Sequence, residues 1–152
     1  MTALFKKLNL KEQNPVYIIN SPVSFKAEMD NIKQSVNVIN DLSKADEIMF
    51  ILSFVTKQEE LDGVIPVIAE KLKGDGVVWF AYPKQSSKKI KCEINRDNGW
   101  DILGEYGFEA VRQVAIDEDW SAVRFRKVEY IKTMKRKDGA MTEEGKKKAG
   151  LN

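Results

Sequence analysis

The sequence predicts an α/β fold with a mainly parallel twisted sheet of about six strands, helices on both faces and an antiparallel C-terminal hairpin. The first observation is a strand, helix, strand succession between Asp46 and Lys84. Its two strands, Glu47–Phe54 and Val77–Tyr82, are almost continuously apolar, which is typical of parallel strands that are buried on both faces. The second observation is a pair of strand-like segments near the C-terminus, whose very short connection forces them to be antiparallel.

The segment before this central unit predicts a strand, a helix and a second, shorter strand. Val16–Asn20 is the first apolar strand-like run. Ser24 could cap a helix in which three apolar residues recur at core-facing intervals. These are Phe25, Met29 and Ile32. Ser35–Ile39 alternates between polar and apolar residues, so we expect a short strand nearer the edge of the sheet.

The helix of the central unit has recognisable boundaries. Thr56-Lys57-Gln58-Glu59 has capping-box spacing, and Gly74 predicts the end of the helix. Pro66 predicts either two helical pieces or one kinked helix, because a proline inside a helix removes a hydrogen bond and crowds the preceding turn. Gly74-Asp75-Gly76 is interpreted as a helix end followed by a tight turn rather than as a phosphate-binding loop.

The C-terminal part predicts a helix and then the hairpin. Asn95 or Asp97 could cap this helix, and Gly107 closes it. The hairpin strands are predicted at Glu109–Asp117 and Trp120–Val128.

Several aromatic and charged residues of the C-terminal half have both a structural and a functional interpretation, and we favour the structural one for each. Asp117-Glu118-Asp119 is interpreted as a solvated turn rather than a cation site. Three arginines could pair with these acids across the hairpin. They are Arg112, Arg124 and Arg126. The three tryptophans are interpreted as packing residues rather than as stacking platforms for bases. They are Trp79, Trp100 and Trp120.

Length and composition limit the possible classes of protein. The 152 residues suit a single α/β domain, which we expect over residues 1–131, followed by a basic, disordered tail over residues 132–152. The absence of histidine excludes Ser–His and Cys–His nucleophile pairs. Cys92 is the only cysteine, so an intrachain disulfide is impossible. Because we find neither a membrane span nor a signal-peptide core, we expect a cytoplasmic protein.

The carboxyl ends of the predicted parallel strands indicate where a ligand would approach. The loop after Tyr82 is basic, with five Lys or Arg residues between Lys84 and Arg96 opposed by Glu93 alone. Such a loop could hold a phosphate, a carboxylate or a nucleic-acid backbone, although a solvated lysine loop is the alternative interpretation. The predicted ligand-binding residues are Lys84, Tyr82, Ser86, Ser87, Lys88, Asn20, Ser53 and Arg96.

Two motifs resemble a family of small bacterial proteins whose function is not established. The first is Val77–Lys84, which ends in Tyr-Pro-Lys and is followed by Ser86-Ser87-Lys88. The second is Val114–Phe125, which contains an Ile-Asp-x-x-Trp-Ser turn. The resemblance covers roughly Val16 to Arg126. It implies a cytoplasmic α/β domain and no particular reaction.

The layout is also similar to the C-terminal half of a class I methyltransferase, which has a Rossmann-like fold. The similarity consists of strand, helix, Gly74-Asp75-Gly76 turn, strand, helix and closing hairpin. After its first strand, however, this chain has Asn20-Ser21-Pro22-Val23 where such enzymes carry a glycine-rich loop that approaches the amino-acid part of the cofactor. Asp41 is the nearest acidic residue that could hold a ribose after Ser35–Ile39.

We therefore predict a non-catalytic α/β binding domain that engages an anionic small molecule or a partner protein at the carboxyl edge of the sheet. This prediction includes no catalytic residue, cofactor, metal or membrane contact. One alternative is a methyltransferase-like enzyme that uses S-adenosylmethionine, against which the missing glycine-rich loop counts. The other alternative is a nucleic-acid accessory protein that uses the basic loop and the tail.

Overall fold

The structure, a computed structural model, describes residues 1–87, 92, 94 and 99–131. Within them the chain forms six strands and four α-helices. The strands are β1 Val16–Ile19, β2 Val38–Ile39, β3 Ile48–Phe54, β4 Leu72–Pro83, β5 Phe108–Ala115 and β6 Trp120–Lys127. The α-helices are α1 Ala3–Lys7, α2 Lys26–Ile32, α3 Gln58–Lys71 and α4 Asp101–Glu105. Short 3₁₀ helices lie at Val23–Phe25, Leu42–Lys44 and Val128–Tyr130.

The six strands form one sheet in the order β2-β1-β3-β4-β6-β5. The first four strands of this order are parallel, and β6 pairs antiparallel with both β4 and β5. The predicted fold class is therefore confirmed.

Two apolar layers cover the sheet, one on each face. The first layer packs the inward residues of α3 and α4, including Leu61, Ile65 and Leu103, against the sheet. The second layer packs residues of the N-terminal segment, including Phe5 and Phe25, against the opposite face. Burial on both faces explains why β3 and β4 read as continuous apolar runs rather than as alternating ones.

The helix α3 begins one residue later than the capping-box spacing predicts. The carboxylate of Glu60, not that of Glu59, accepts hydrogen bonds from the backbone N–H groups of Thr56 (2.9 Å) and Lys57 (3.0 Å). Pro66 lies inside one uninterrupted helix, which decides against two separate helical pieces.

The prediction that Gly74 ends this helix is wrong. The helix ends at Lys71, and Gly74-Asp75-Gly76 lies within β4, where the pairing with β3 shifts its register. Gly74 adopts a φ of +55°. A Cβ atom on Gly76 would lie 2.5 Å from Cδ1 of Leu72 and 3.0 Å from the carbonyl oxygen of Ile48. The glycines therefore permit an irregularity inside the strand rather than a turn before it.

The hairpin also differs from its predicted ion pairing. Asp117 accepts backbone hydrogen bonds from Asp119 and Trp120, both at 2.8 Å, so it shapes its own turn. Arg126 instead pairs with Asp75 of β4, with Nε 2.9 Å from Oδ1. The interpretation of the three tryptophans as packing residues is confirmed, since each is at most 7% exposed.

Three further boundaries differ from the prediction. Strand β2 contains only Val38 and Ile39 of the predicted Ser35–Ile39. Ser24 does not cap α2, because a 3₁₀ helix precedes it and Phe25 occupies the N-cap position without a side-chain hydrogen bond. The predicted caps Asn95 and Asp97, like the tail over residues 132–152, lie outside the described residues. In the described part of the chain, no helix combines the length and the apolarity that crossing a membrane requires.

Candidate functional site

The strand order places a topological switch point between β1 and β3. From β1 the chain crosses to β2 on one side, and its next strand, β3, pairs with β1 on the other side. In open α/β sheets, the crevice outside the carboxyl ends of two such strands is the usual place for a ligand. The residues that follow β1, β2 and β3 therefore define the candidate site.

Asn20 follows β1 directly and has a φ of +56°. This left-handed conformation is uncommon for residues other than glycine, and asparagine is one of the few that tolerate it. The side chain of Asn20 is exposed. The turn continues through Ser21 and Pro22 into a 3₁₀ helix whose Phe25 is buried. The chain thus makes a sharp turn at the carboxyl end of β1 without a glycine.

Asp41 lies two residues beyond the end of β2. Because β2 is parallel to β1, Asp41 follows β2 at the same edge of the sheet at which Asn20 follows β1. Its Oδ1 atom accepts hydrogen bonds from the backbone N–H (2.9 Å) and hydroxyl (2.7 Å) of Ser43. These two hydrogen bonds lower the pKa of the Asp41 carboxyl group, so the side chain is a carboxylate at neutral pH.

Ser53 lies near the end of β3, directly between Ile19 of β1 and Phe80 of β4 in the register of the sheet. It is wholly buried. Its Oγ atom has no hydrogen-bond partner among the described residues. A buried hydroxyl group without a partner is rare in native proteins and requires an explanation. Asn20 and Asp41 thus follow β1 and β2 at the same edge at which Ser53 lies near the end of β3.

The predicted residues after β4 are held by the rest of the protein. Tyr82 is 3% exposed, packs edge to face on Trp100, and accepts a short hydrogen bond from Gln113. The backbone N–H of Lys84 donates to the carbonyl of Asp119 at 2.7 Å, and the Lys84 side chain is half-buried.

Of the basic loop that continues from Lys84, the structure describes residues 84–87, 92 and 94. Ser86 is exposed, and the hydroxyl of Ser87 donates to the carboxylate of Asp119 at 2.9 Å. Lys88 and Arg96 lie outside the described residues. The structure therefore brings Asn20 and Ser53 to one edge and attaches the start of the loop to the hairpin turn. A ligand-binding role for any of these residues remains a prediction.

Aromatic side chains fill the sheet face just below this edge. The ring centroids of Phe25 and Phe54 lie 5.0 Å apart, and those of Phe54 and Trp120 lie 5.1 Å apart, both edge to face. Such pairs contribute roughly 0.5–1.5 kcal/mol beyond the area that they bury. This buried layer gives the carboxyl edge an apolar base on one face of the sheet.

Comparisons with known proteins identify the fold. No protein-family model matches the chain, and its sequence matches no curated protein. Solved structures do match. One is a methyltransferase from Aquifex aeolicus that depends on S-adenosylmethionine, with a TM-score of 0.54 and 15% identity over 82% of this chain and 87% of the other. A second is a proposed type 11 methyltransferase from Sulfolobus solfataricus, with a TM-score of 0.50 and 14% identity over 82% of this chain and 77% of the other.

These likenesses show that the chain has the Rossmann-like fold of class I methyltransferases, as the sequence layout suggested. The resemblance to a family of small bacterial proteins is not supported by any family model. The main functional prediction, a non-catalytic binding domain, is contradicted, because the structures that share this fold are methyltransferases. The methyltransferase-like alternative is better supported than the prediction that we favoured from sequence.

Proposed function

We propose that this chain is a methyltransferase of class I fold that binds S-adenosylmethionine at the carboxyl edge around β1 and β2. The observation that carries the proposal is the switch point between β1 and β3, with the sharp turn at Asn20 on one strand and the carboxylate of Asp41 after the neighbouring one. The likeness of the fold to two methyltransferases supports this assignment.

The missing glycine-rich loop is the main objection from sequence, and the turn at Asn20 answers part of it. A glycine after β1 would supply a left-handed φ that lets the backbone turn sharply and approach a ligand. Asn20 has such a φ without glycine. The residues of this turn therefore fit an approaching cofactor at the level of the backbone. They also add the side chains of Asn20 and Ser21, which a glycine loop lacks.

Asp41 has the chemistry for the ribose of the cofactor. A carboxylate that follows the second strand of such a fold can accept hydrogen bonds from both ribose hydroxyls. Oδ1 already accepts from Ser43, which fixes the orientation of the side chain. Oδ2 accepts no hydrogen bond from the residues that the structure describes, so its acceptor capacity is available.

Ser53 adds a hydroxyl group at the end of the third strand of the site. Leaving a buried hydroxyl unsatisfied costs about 1–3 kcal/mol. Because Ser53 is wholly buried, a ligand or an ordered water would reach its Oγ atom only after a neighbouring side chain moves. We therefore propose that the Ser53 hydroxyl gains a hydrogen-bond partner only when a ligand occupies the site.

The bound cofactor would supply an electrophilic methyl group on a sulfonium sulfur for transfer to a nucleophile on the acceptor. The chain itself would orient the cofactor through Asp41 and the turn at Asn20 and exclude water with the aromatic layer of Phe25, Phe54 and Trp120. Because the sequence has no histidine, any group that removes a proton from the acceptor must be a carboxylate, a lysine, a tyrosine or Cys92.

Isothermal titration calorimetry with S-adenosylmethionine and its demethylated product tests the proposal. We expect saturable binding to the unmodified chain, and binding at least ten-fold weaker, or about 1.4 kcal/mol, in Asp41→Asn. The matched control is Asp30→Asn, which removes the same charge from an exposed aspartate that pairs with Lys26 on α2. Absence of heat at millimolar ligand, or equal weakening in both variants, would refute the proposal.

A further inference from the structure

The outer part of the hairpin carries three arginines on one face of the sheet. Arg112 of β5 lies directly opposite Arg124 of β6, and Arg126 follows two residues later on the same face of β6. Directly opposite side chains on antiparallel strands have Cβ atoms about 5 Å apart, and residues two apart on a strand are separated by roughly 7 Å. Like charges placed opposite each other in this way destabilise a sheet.

Only part of this positive charge is balanced. Asp75, in the irregular part of β4, makes a bidentate pair with Arg126. Glu109 is the cross-strand neighbour of Arg126 and is buried. With both carboxylates included, the group of five side chains keeps a net positive charge. Arg112 and Arg124 make no ion pair within the described residues.

Arg124 shows the imbalance most clearly. Its Nε atom is buried and has no hydrogen-bond partner among the residues that the structure describes. Burial lowers the pKa of the guanidinium group, and the neighbouring charge of Arg126 lowers it further. A buried charged N–H without an acceptor is costly, and such a group requires an explanation. Nε itself is closed to a ligand, but an anion shared by the terminal Nη groups of Arg124 and Arg112 would offset the charge of the half-buried guanidinium group.

We infer that Arg112 and Arg124 form a binding site for a phosphate group on the outer face of the hairpin. Planar guanidinium groups bind phosphate oxygens in a bidentate manner, and two of them can share one phosphate. Arg126 is held by Asp75, which balances its charge, so it is not part of the phosphate site. This site could take inorganic phosphate, or a phosphate that belongs to a nucleotide or a nucleic acid.

The site is separate from the proposed cofactor site. Arg124 pairs with Trp79 on β4, four residues before Pro83 at the carboxyl edge, which corresponds to roughly 13 Å along the strand. The indole N–H of Trp79 donates to the carbonyl of Leu8 at 2.7 Å, so the N-terminal segment borders the same face. The phosphate site can therefore exist whether or not the chain binds S-adenosylmethionine.

Thermal unfolding in increasing inorganic phosphate, at constant ionic strength, tests this inference with the full chain. We expect phosphate to raise the Tm of the unmodified protein. Arg112→Gln should lose this increase and should also have a higher Tm than the unmodified protein when phosphate is absent, because the repulsion from Arg124 is removed. The matched control is Lys127→Gln. Lys127 follows Arg126 on β6, so its side chain lies on the other face of the sheet from the three arginines, and its loss removes the same charge. This variant should keep the rise in Tm with phosphate.

A second titration, with a short single-stranded oligonucleotide, distinguishes the sources of the phosphate. Binding that is at least ten-fold weaker in Arg112→Gln than in Lys127→Gln, and that declines with salt, assigns a nucleic-acid backbone. A response to inorganic phosphate with no such difference for the oligonucleotide assigns a small phosphate ligand. Equal behaviour of the two variants in both experiments overturns the inference.

Discussion

Replacing Ser53 by alanine should stabilise the unliganded protein, although the residue is wholly buried near the end of β3. The reason is the Oγ atom, which is buried without a partner among the described residues. Removing a buried unsatisfied hydroxyl recovers about 1–3 kcal/mol. The small void that replaces the oxygen atom costs up to about 1 kcal/mol. The net gain is about 1 kcal/mol, which corresponds to a rise in Tm of roughly 2–4 °C for a chain of this size.

The same substitution should weaken the binding of S-adenosylmethionine if Ser53 takes part in the proposed site. One hydrogen bond contributes about 0.5–1.5 kcal/mol, which corresponds to roughly two- to twelve-fold in affinity. Stability and affinity should thus change in opposite directions. Calorimetric unfolding measures the first quantity, and titration calorimetry measures the second.

Ser121 provides the control for this prediction. Ser121 of β6 is also buried, but its hydroxyl is not among the buried groups that lack a partner. Ser121→Ala should therefore not raise the Tm. If Ser53→Ala lowers the Tm, the hydroxyl group makes a stabilising hydrogen bond in solution, and the reasoning about an unsatisfied group at this edge is refuted.

Two further predictions concern the stability of the fold. Gly76→Ala should lower the free energy of unfolding by about 1–3 kcal/mol, because its Cβ atom would clash with Leu72 and with the backbone of Ile48. Denaturant unfolding measures this loss. The control Gly63→Ala should show no loss, because no side chain or neighbouring element lies within 4 Å of a Cβ atom at that position. The pKa values of Asp30 and Asp41 are lowered in the folded chain from the ordinary value of 3.8. Their ionised carboxylates therefore stabilise the fold at pH values above 3.8, and this stabilisation is lost as the pH falls through their pKa values in the folded chain. The Tm of Asp30→Asn/Asp41→Asn should therefore fall less steeply on acidification than that of the unmodified chain, and parallel curves would contradict this.

The sheet could be predicted from sequence because its strands are buried on both faces. Strands buried on both faces have uninterrupted apolar sequences, as β3 and β4 do. The short link before Trp120 forces the hairpin to be antiparallel. The irregularity at Gly74–Gly76 could not be predicted in the same way. A glycine after a helix and a glycine in a strand bulge have the same local sequence, and only the position of Ile48 on the neighbouring strand distinguishes them.

The candidate site was harder to predict than the fold because its residues are defined by contacts across strands. Asn20 and Ser53 could be placed at the carboxyl edge from strand order, but neither the φ of Asn20 nor the unsatisfied Oγ of Ser53 has a signal in the sequence. From sequence, Arg112, Arg124 and Arg126 could pair with the hairpin acids. That prediction failed because Asp117 uses its carboxylate for its own turn, while the strand irregularity presents Asp75 to Arg126.

Two local features that cost stability lie at the carboxyl edge of the sheet, and they support the site proposed there. A non-glycine residue in the left-handed region costs stability, and so does a buried hydroxyl without a partner. A folded chain tolerates such costs mainly where the arrangement serves a ligand. In this protein Asn20 directly follows β1, Ser53 lies near the end of the adjacent strand β3, and Asp41 lies two residues beyond β2 on the other side of β1. Among the described residues, a second left-handed asparagine, Asn9, and a second buried polar atom without a partner, Nε of Arg124, lie away from this edge. The proposal therefore rests on the position of Asn20, Asp41 and Ser53 at the switch point and not on either feature alone.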